Sequence, residues 1–153
     1  LNGNAEQTVE VNFEICRNIH DLAGKLQKQL YLDSTSFIAH LQNGQTLSRL
    51  GFTLEQLPAL FIPNTYDMYW DQTPAQFVER MAKEFKNFWT PARMEKLKTV
   101  GLNAPSEAVT LASIVYSEQS RRAEEWPIIA GLYLNRIRHA FLMRIDMLKT
   151  LFQ

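Results

Sequence analysis

The sequence predicts an α+β fold that is predominantly α-helical, with one N-terminal strand region followed by about seven helices. Residues 8–15 alternate between apolar and polar side chains, which is typical of a half-buried strand. Most of the remaining chain repeats apolar residues at steps of three and four between capping residues, prolines and glycines, as amphipathic helices do. The helical pattern covers far more of the chain, so helices dominate the predicted fold.

The length and composition limit the chain to about one domain. With 153 residues, 46% of them apolar, it can form one core with at most a small appended piece. Sixteen Lys and Arg balance sixteen Asp and Glu, so no net field attracts nucleic acid or an anionic membrane. The single cysteine, Cys16, excludes an intrachain disulfide and a cysteine-based zinc site. No apolar run approaches the roughly 18 residues of a membrane span, so we expect the chain as given to be soluble, with any targeting or anchoring segment left out.

Start and stop signals divide the first third of the chain into short helices. Asn18 can cap a first helix, Asp33 begins a second, and Gly51 stops a third. Thr53 and Gln56 fit a capping box for one further turn. The first helix places its apolar residues on one stripe: Ile19, Leu22, Leu26 and Leu30. We interpret this region as scaffold.

The residue pattern changes at residues 60–70, LFIPNTYDMYW, which are rich in aromatic side chains. Pro63 removes a backbone donor and pushes Ile62 toward extended geometry, so a regular helix is disfavoured. Two interpretations remain open. The segment either packs its rings into the core or forms a binding wall, since aromatic faces with polar rims suit sugar rings. The rings concerned are Phe61, Tyr66, Tyr69 and Trp70.

Two further helix starts follow. Thr73 and Gln76 frame a capping box with Pro74 at the first helical position, and Thr90-Pro91 begins a charged helix that ends near Gly101. The apolar residues of the first of these helices keep helical spacing and are expected in the core: Phe77, Met81, Phe85 and Phe88.

A helix beginning near Pro105 carries the most informative acidic residue, Glu118. It shares one helical face with apolar residues at steps of three or four, which are Ala108, Leu111, Ile114 and Val115. The carboxylate either lies along the edge of this stripe in water or sits partly desolvated at the rim of a pocket. In the second case burial favours its protonated form and makes it a candidate proton donor near neutral pH.

A polar connection, SRRAEEW at residues 120–126, precedes a last helix that begins near Pro127. Asn135 and Arg136 lie next to the broad apolar face of this helix and are either a helix-end polar pair or part of a site. The final segment, residues 140–153, has no Gly or Pro to stop it and can prolong the helix.

The remaining residue types exclude several chemistries. His20, His40 and His139 are isolated from partners at metal-ligand spacing, so we expect no metal site. The chain has no Gly-rich phosphate loop and no nucleophile elbow, and its basic residues are not interleaved with aromatics as in a nucleic-acid platform. What remains is acid/base chemistry centred on a helix-borne carboxylate.

Three ordered strings resemble one known family. They are LFIPNTYDMYW, LASIVYSEQS at residues 111–120 and IIAGLYLNRI at residues 128–137. They are similar to the F-(F/I/W)-P-(E/D/N)-T-Y segment, the ASIV-x-x-E-T helix and the A-G-V-(F/Y)-x-N-R-L helix of the endolytic murein transglycosylases, also called MltG or YceG-like. The resemblance spans residues 60–137, about half of the chain.

The resemblance implies a bacterial envelope enzyme on the periplasmic side of the inner membrane. It would cleave the β-1,4 bond after N-acetylmuramic acid within peptidoglycan strands and leave a 1,6-anhydro end, with cell-wall synthesis proteins as further partners. The family's catalytic glutamate maps onto Glu118, and no cofactor is implied. The implied substrate-binding residues are Asn64, Thr65, Tyr66, Tyr116, Gln119, Asn135, Arg136 and Asp146. Residues 1–53 would then be scaffold and residues 54–153 a partial catalytic region, together forming one compact unit.

The chain departs from the family pattern at three places. Tyr116 replaces the first acidic residue of the catalytic helix, and Gln119 stands where the family commonly has Thr. Of the family's Leu-Gln-x-Asp-Pro-Thr block, only Asp146 is matched, so the far wall of the cleft is missing or rebuilt. We also expect the family's small sugar-binding module and membrane anchor to be absent from the chain as given. These departures indicate a catalytic-region fragment or a shortened relative.

Two rival functions stay open. The first is a non-catalytic module of the same fold that binds glycan strands or an envelope partner. The second is a pyridoxal-phosphate lyase, a label sometimes attached to this family, which needs a Schiff-base lysine and a phosphate cradle. No lysine here has a Gly-rich neighbour that would supply the cradle.

Overall fold

The computed structural model describes residues 7–16 and 18–151, and for residues 141–151 the description is of the backbone. Within that part of the chain, seven α-helices and one two-stranded sheet confirm the predicted class, a predominantly helical α+β fold. The chain divides into two compact units, Leu1–Thr90 and Pro91–Gln153, which we call the N-terminal and C-terminal units. The predicted division into residues 1–53 and 54–153 stays a prediction.

The N-terminal unit is built on an antiparallel pair of strands. Strand β1 (Thr8–Phe13) pairs with β2 (Asn64–Tyr69), so that Val11 lies opposite Tyr66 and Phe13 opposite Asn64. Between the strands the chain forms α1 (Ile19–Leu26), α2 (Ser34–Gln42), α3 (Gly44–Leu50) and a 3-10 helix (Leu57–Leu60), and α4 (Pro74–Phe88) follows β2. The predicted N-terminal strand is therefore present, and the aromatic segment after Pro63 is its partner.

The predicted helix boundaries of this unit are formed by local hydrogen bonds. The Asn18 side chain accepts from the backbone of His20 and Asp21, and Gly51 ends α3 in the left-handed conformation with φ 73°. Thr73 and Gln76 form the reciprocal capping box at the start of α4. These bonds confirm the predicted start and stop signals of the helices. Each bond joins residues that are close in sequence, which is why the sequence could predict it.

The core of the N-terminal unit lies between the sheet and its helices. Phe77 of α4 packs edge-on against Phe37 of α2, with ring centroids 5.5 Å apart, and stacks on Phe61 at 6.2 Å. The largest fully buried side chains are Phe37, Phe77, Leu22, Leu26, Leu41, Leu57, Leu60 and Met81. This rigid packing determines where β2 lies and which of its side chains face outward.

The C-terminal unit consists of α5 (Pro91–Thr99), α6 (Pro105–Glu118), a 3-10 helix (Ala123–Glu125) and α7 (Trp126–Leu151). Helix α6 packs against both α5 and α7, with Val115 buried on its inner side. The backbone of α7 continues to Leu151, so the predicted extension of this helix into the terminal apolar segment is present as far as the structure describes that segment. In the described residues, none of the helices combines the length and apolar character that a membrane span requires.

Candidate functional site

Glu118 is the last residue of α6, and its side chain is exposed. Because α6 ends there, the carboxylate lies at the junction with the polar connection rather than in the middle of a packed face. Of the two environments considered from the sequence, the free protein has the exposed one.

Tyr133 of α7 contacts this carboxylate directly. Its hydroxyl donates a hydrogen bond to Oε1 of Glu118 at 3.1 Å, which joins the end of α6 to the second turn of α7. The guanidinium of Arg136, three residues further along α7, lies over the Tyr133 ring at 5.7 Å from its centroid. A carboxylate, a phenol and a guanidinium thus form one continuous polar cluster.

The phenol of Tyr133 titrates at a higher pH than an ordinary tyrosine. Its hydrogen bond to Glu118 raises the pKa of Tyr133 above the usual 10.0, because the neutral phenol can donate to the carboxylate and the phenolate cannot. Desolvation and the charge of Glu118 act in the same direction, whereas the positive charge of Arg136 lowers the pKa of Tyr133. The pKa of Tyr133 therefore depends on the charges of both Glu118 and Arg136.

Gln119 organises the connection that follows the catalytic candidate. Its side-chain amide donates to Glu125 at 3.1 Å, and its side-chain oxygen accepts from the backbone of Arg121 at 3.2 Å. Its own carbonyl accepts from the indole nitrogen of Trp126 at 2.6 Å. These three bonds hold the turn between α6 and α7, so the predicted substrate-binding Gln119 already has structural partners.

Tyr116 and Asn135 lie on the surface of the same unit. The Tyr116 ring is exposed on one side and packs edge-on against Trp126, with centroids 6.2 Å apart. Asn135 is exposed on α7, next to Arg136. Five of the predicted site residues with described side chains, including Glu118, Gln119 and Arg136, therefore belong to the C-terminal unit.

The three remaining predicted residues with described side chains lie on β2 in the N-terminal unit. Asn64 and Thr65 are exposed, and the Thr65 hydroxyl accepts from the Asn12 side chain of β1 at 3.1 Å. Tyr66 is only 6% exposed, stacks on Phe13 at 5.7 Å, and donates from its hydroxyl to the Ile62 carbonyl at 2.6 Å. Asp146 lies outside the residues whose side chains are described.

The sequence left open whether the aromatic residues of the segment 60–70 pack into the core or line a binding wall, and they do not all lie in the same environment. Phe61 and Tyr66 are buried in the core, whereas Tyr69 and Trp70 are exposed. Trp70 packs against the exposed ring of Tyr31 at 5.6 Å. The difference between Tyr66 and Tyr69 follows from strand geometry, because successive side chains of β2 point to opposite faces.

We expect Tyr66→Phe to reduce the unfolding free energy by about 1 to 2 kcal/mol, because it removes a buried hydrogen bond and leaves the Ile62 carbonyl without its donor. Burial raises the pKa of Tyr66 above 10.0, so the folded state favours the neutral phenol. That contribution is present below pH 10 and is lost as the pH rises through the folded-state value. Urea denaturation of the wild type, Tyr66→Phe and Tyr69→Phe at pH 7 and above pH 10 measures both effects.

Tyr69→Phe is the matched control, because Tyr69 lies on the exposed face of the same strand. Equal stability of Tyr66→Phe and wild type, together with weaker glycan binding, would instead assign the Tyr66 hydroxyl to a ligand.

Sequence reasoning missed Tyr133 as a member of the site. Two signals point to it in retrospect: it occupies the aromatic position of the A-G-V-(F/Y)-x-N-R-L string, and it precedes Arg136 by three residues on one helical face. Its contact with Glu118 spans fifteen residues, and no local pattern specifies that distance.

Among residues 7–16 and 18–140, no group of three His, Cys, Asp or Glu side chains could hold a metal ion.

The fold and the cluster define a predominantly helical α+β protein in which the carboxylate at the end of α6 accepts a hydrogen bond from a phenol of α7. The model of the YceG-like family matches residues 1–151, and the chain belongs to that family. At the family level this supports a role of the murein transglycosylase type, with peptidoglycan as substrate. No curated protein and no solved structure matches the chain in the corresponding searches.

Proposed function

We propose that this protein is a lytic transglycosylase with Glu118 as its single general acid and base. It cleaves the β-1,4 bond between N-acetylmuramic acid and N-acetylglucosamine within peptidoglycan strands and leaves a 1,6-anhydro-muramyl end. The observation that carries the proposal is the Glu118–Tyr133 hydrogen bond beside Arg136, in a chain of this family.

The reaction needs one carboxyl group that gives and then takes a proton. Protonated Glu118 donates to the glycosidic oxygen while the bond from that oxygen to C1 of the muramyl sugar breaks, and an oxocarbenium-like centre develops. The 6-hydroxyl of the same sugar then forms a bond to C1, and its proton passes to the Glu118 carboxylate. Glu118 ends protonated again, and no water is consumed.

A single carboxylate distinguishes this reaction from ordinary glycoside hydrolysis. Hydrolases use a second carboxylate to activate water or to form a covalent intermediate. Here the position two residues before Glu118 holds Tyr116, which cannot supply one. The sugar's own hydroxyl replaces both the water and the second carboxylate.

The bound glycan supplies the dry environment that the free protein lacks. Glu118 is exposed, and a sugar ring placed over the end of α6 would remove water from its carboxyl group. Arg136 and Asn135, both exposed on α7, would bind the carbonyl and lactyl oxygens of the substrate and orient it. Roles in substrate binding for Asn64, Thr65, Tyr66, Tyr116, Gln119 and Asp146 rest on the family resemblance.

The proposed place of action is the periplasmic side of the bacterial inner membrane, because that is where a peptidoglycan-cleaving enzyme meets its substrate. Cell-wall synthesis proteins are the partners proposed for it, since strand cleavage and strand synthesis act on the same polymer.

Digestion of purified peptidoglycan strands tests the proposal. We expect the purified chain to release fragments ending in 1,6-anhydro-muramic acid, which mass spectrometry separates from hydrolysis products by the mass of one water. Reducing ends without the anhydro ring would make the protein a hydrolase. Intact strands after prolonged digestion would contradict an enzymatic role for this chain.

A second candidate function is a non-catalytic module that binds peptidoglycan or an envelope partner. The exposure of Glu118 in the free protein favours it, since a poised general acid is usually partly desolvated. Sedimentation with purified sacculi, combined with analysis of the released products, separates the candidates. Both bind sacculi as wild type and as Glu118→Gln, but the wild-type module releases no product, whereas the wild-type enzyme does.

A further inference from the structure

The hydrogen bond from Tyr133 reaches only one of the two oxygens of Glu118, Oε1. A carboxylic acid carries its proton on one oxygen, and its other oxygen, the carbonyl, is the stronger hydrogen-bond acceptor. A donor held at Oε1 therefore favours the form of Glu118 that carries its proton on Oε2.

We propose that Tyr133 is a positioning residue that assigns the transferable proton of Glu118 to Oε2 and fixes the direction in which that proton is delivered. The proposal rests on the proposed function and extends it to two further side chains. Arg136 acts indirectly, because it holds the Tyr133 ring that carries the hydroxyl.

The contact is supported by the packing of two helices rather than by a flexible loop. Glu118 ends α6, Tyr133 lies in the second turn of α7, and these helices pack against each other. The connection between them is held by Gln119, whose carbonyl accepts from Trp126 at 2.6 Å. The phenol and the carboxylate are therefore brought together before a substrate arrives.

The hydrogen bond strengthens as the reaction proceeds. Neutral Glu118 accepts it through a carbonyl oxygen, and once the proton has left, the same bond ends on a carboxylate. Hydrogen bonds to an ionised acceptor are roughly twice as strong as neutral ones. An interaction that strengthens toward the transition state raises kcat more than it changes substrate affinity.

Arg136 restrains the Tyr133 ring from its face. Its guanidinium lies 5.7 Å from the ring centroid, within the range of a cation–π interaction. Among the described residues, the charged groups that affect the titration of Tyr133 are Glu118 at the end of α6 and Arg136 on α7. The two have opposite charges, so they can be distinguished experimentally.

Kinetic analysis of Tyr133→Phe tests the assignment. We expect kcat for release of anhydro products to fall by about ten- to a hundredfold, with KM within about twofold of wild type. Tyr31→Phe is the matched control, since Tyr31 is 78% exposed and lies in the N-terminal unit. It should match wild type in both kcat and KM.

A second measurement needs no activity. With tyrosine labelled at the ring carbon that bears the hydroxyl, nuclear magnetic resonance can follow the titration of Tyr133. We expect Glu118→Gln to lower the pKa of Tyr133, and Arg136→Gln to raise it, because these changes remove an anion and a cation respectively. The labelled Tyr31 signal should move in neither variant.

The possible failures are distinguishable. If the wild type releases no anhydro products, the proposed function fails and the positioning role fails with it. If the wild type is active but Tyr133→Phe keeps its kcat, only the positioning role is overturned. A Tyr133 titration that is unchanged in Glu118→Gln overturns it as well, even if Tyr133→Phe should fail to fold.

Discussion

Glu118→Gln is expected to reduce the release of 1,6-anhydro products by about 10²- to 10⁴-fold, the usual contribution of a general acid and base. Glutamine has nearly the same shape as glutamate, and its amide oxygen can still accept the hydrogen bond from Tyr133. The local geometry is therefore retained, while the transferable proton is lost. Product release is measured by mass spectrometry of a timed digestion.

Glu124→Gln is the matched control for this substitution. Glu124 is an exposed carboxylate in the 3-10 helix between α6 and α7, and its replacement removes the same charge close by in sequence. We expect Glu124→Gln to release products at the wild-type rate. Equal activity of Glu118→Gln and wild type would remove Glu118 from the chemistry.

The same variant also measures binding apart from cleavage. Glu118→Gln should sediment with sacculi as the wild type does, because the proposed contacts of Arg136 and Asn135 with the substrate are unchanged. Loss of binding together with loss of activity would indicate that Glu118 holds the glycan rather than protonates it.

Phe77→Ala is expected to have the largest effect on stability, a loss of about 3 to 5 kcal/mol in the free energy of unfolding. Phe77 is 0% exposed and contacts the rings of both Phe37 and Phe61. Truncation to alanine removes the transfer free energy of the ring and leaves a cavity between α2 and α4. Small domains have only about 5 to 15 kcal/mol of stability, so much of the variant is expected to unfold at low urea concentration.

Phe88→Ala on the same helix provides the comparison. Phe88 is 37% exposed at the end of α4, and we expect its truncation to cost less than about 1 kcal/mol. Urea denaturation followed by circular dichroism measures both variants. Similar losses for the two would mean that the ring cluster around Phe77 does not carry the core of the N-terminal unit.

The local features of the fold could be predicted because each depends on neighbours in sequence. The alternation after Thr8 specified a strand, Thr73 and Gln76 specified the start of α4, and Gly51 specified the end of α3. The position of Glu118 at the end of an apolar helical stripe could also be predicted from the sequence, because helical periodicity assigns residues to faces.

The sequence by itself thus determined the class of fold, most helix boundaries and the resemblance to one family. Only the tertiary structure decided that β2 pairs with β1, that Tyr66 is buried while Tyr69 is exposed, and that Tyr133 reaches Glu118. Caps and periodicities arise from hydrogen bonds and packing within a few residues. Strand register and the Glu118–Tyr133 contact join residues that are far apart in the chain, and these depend on how the helices and strands of each unit pack together.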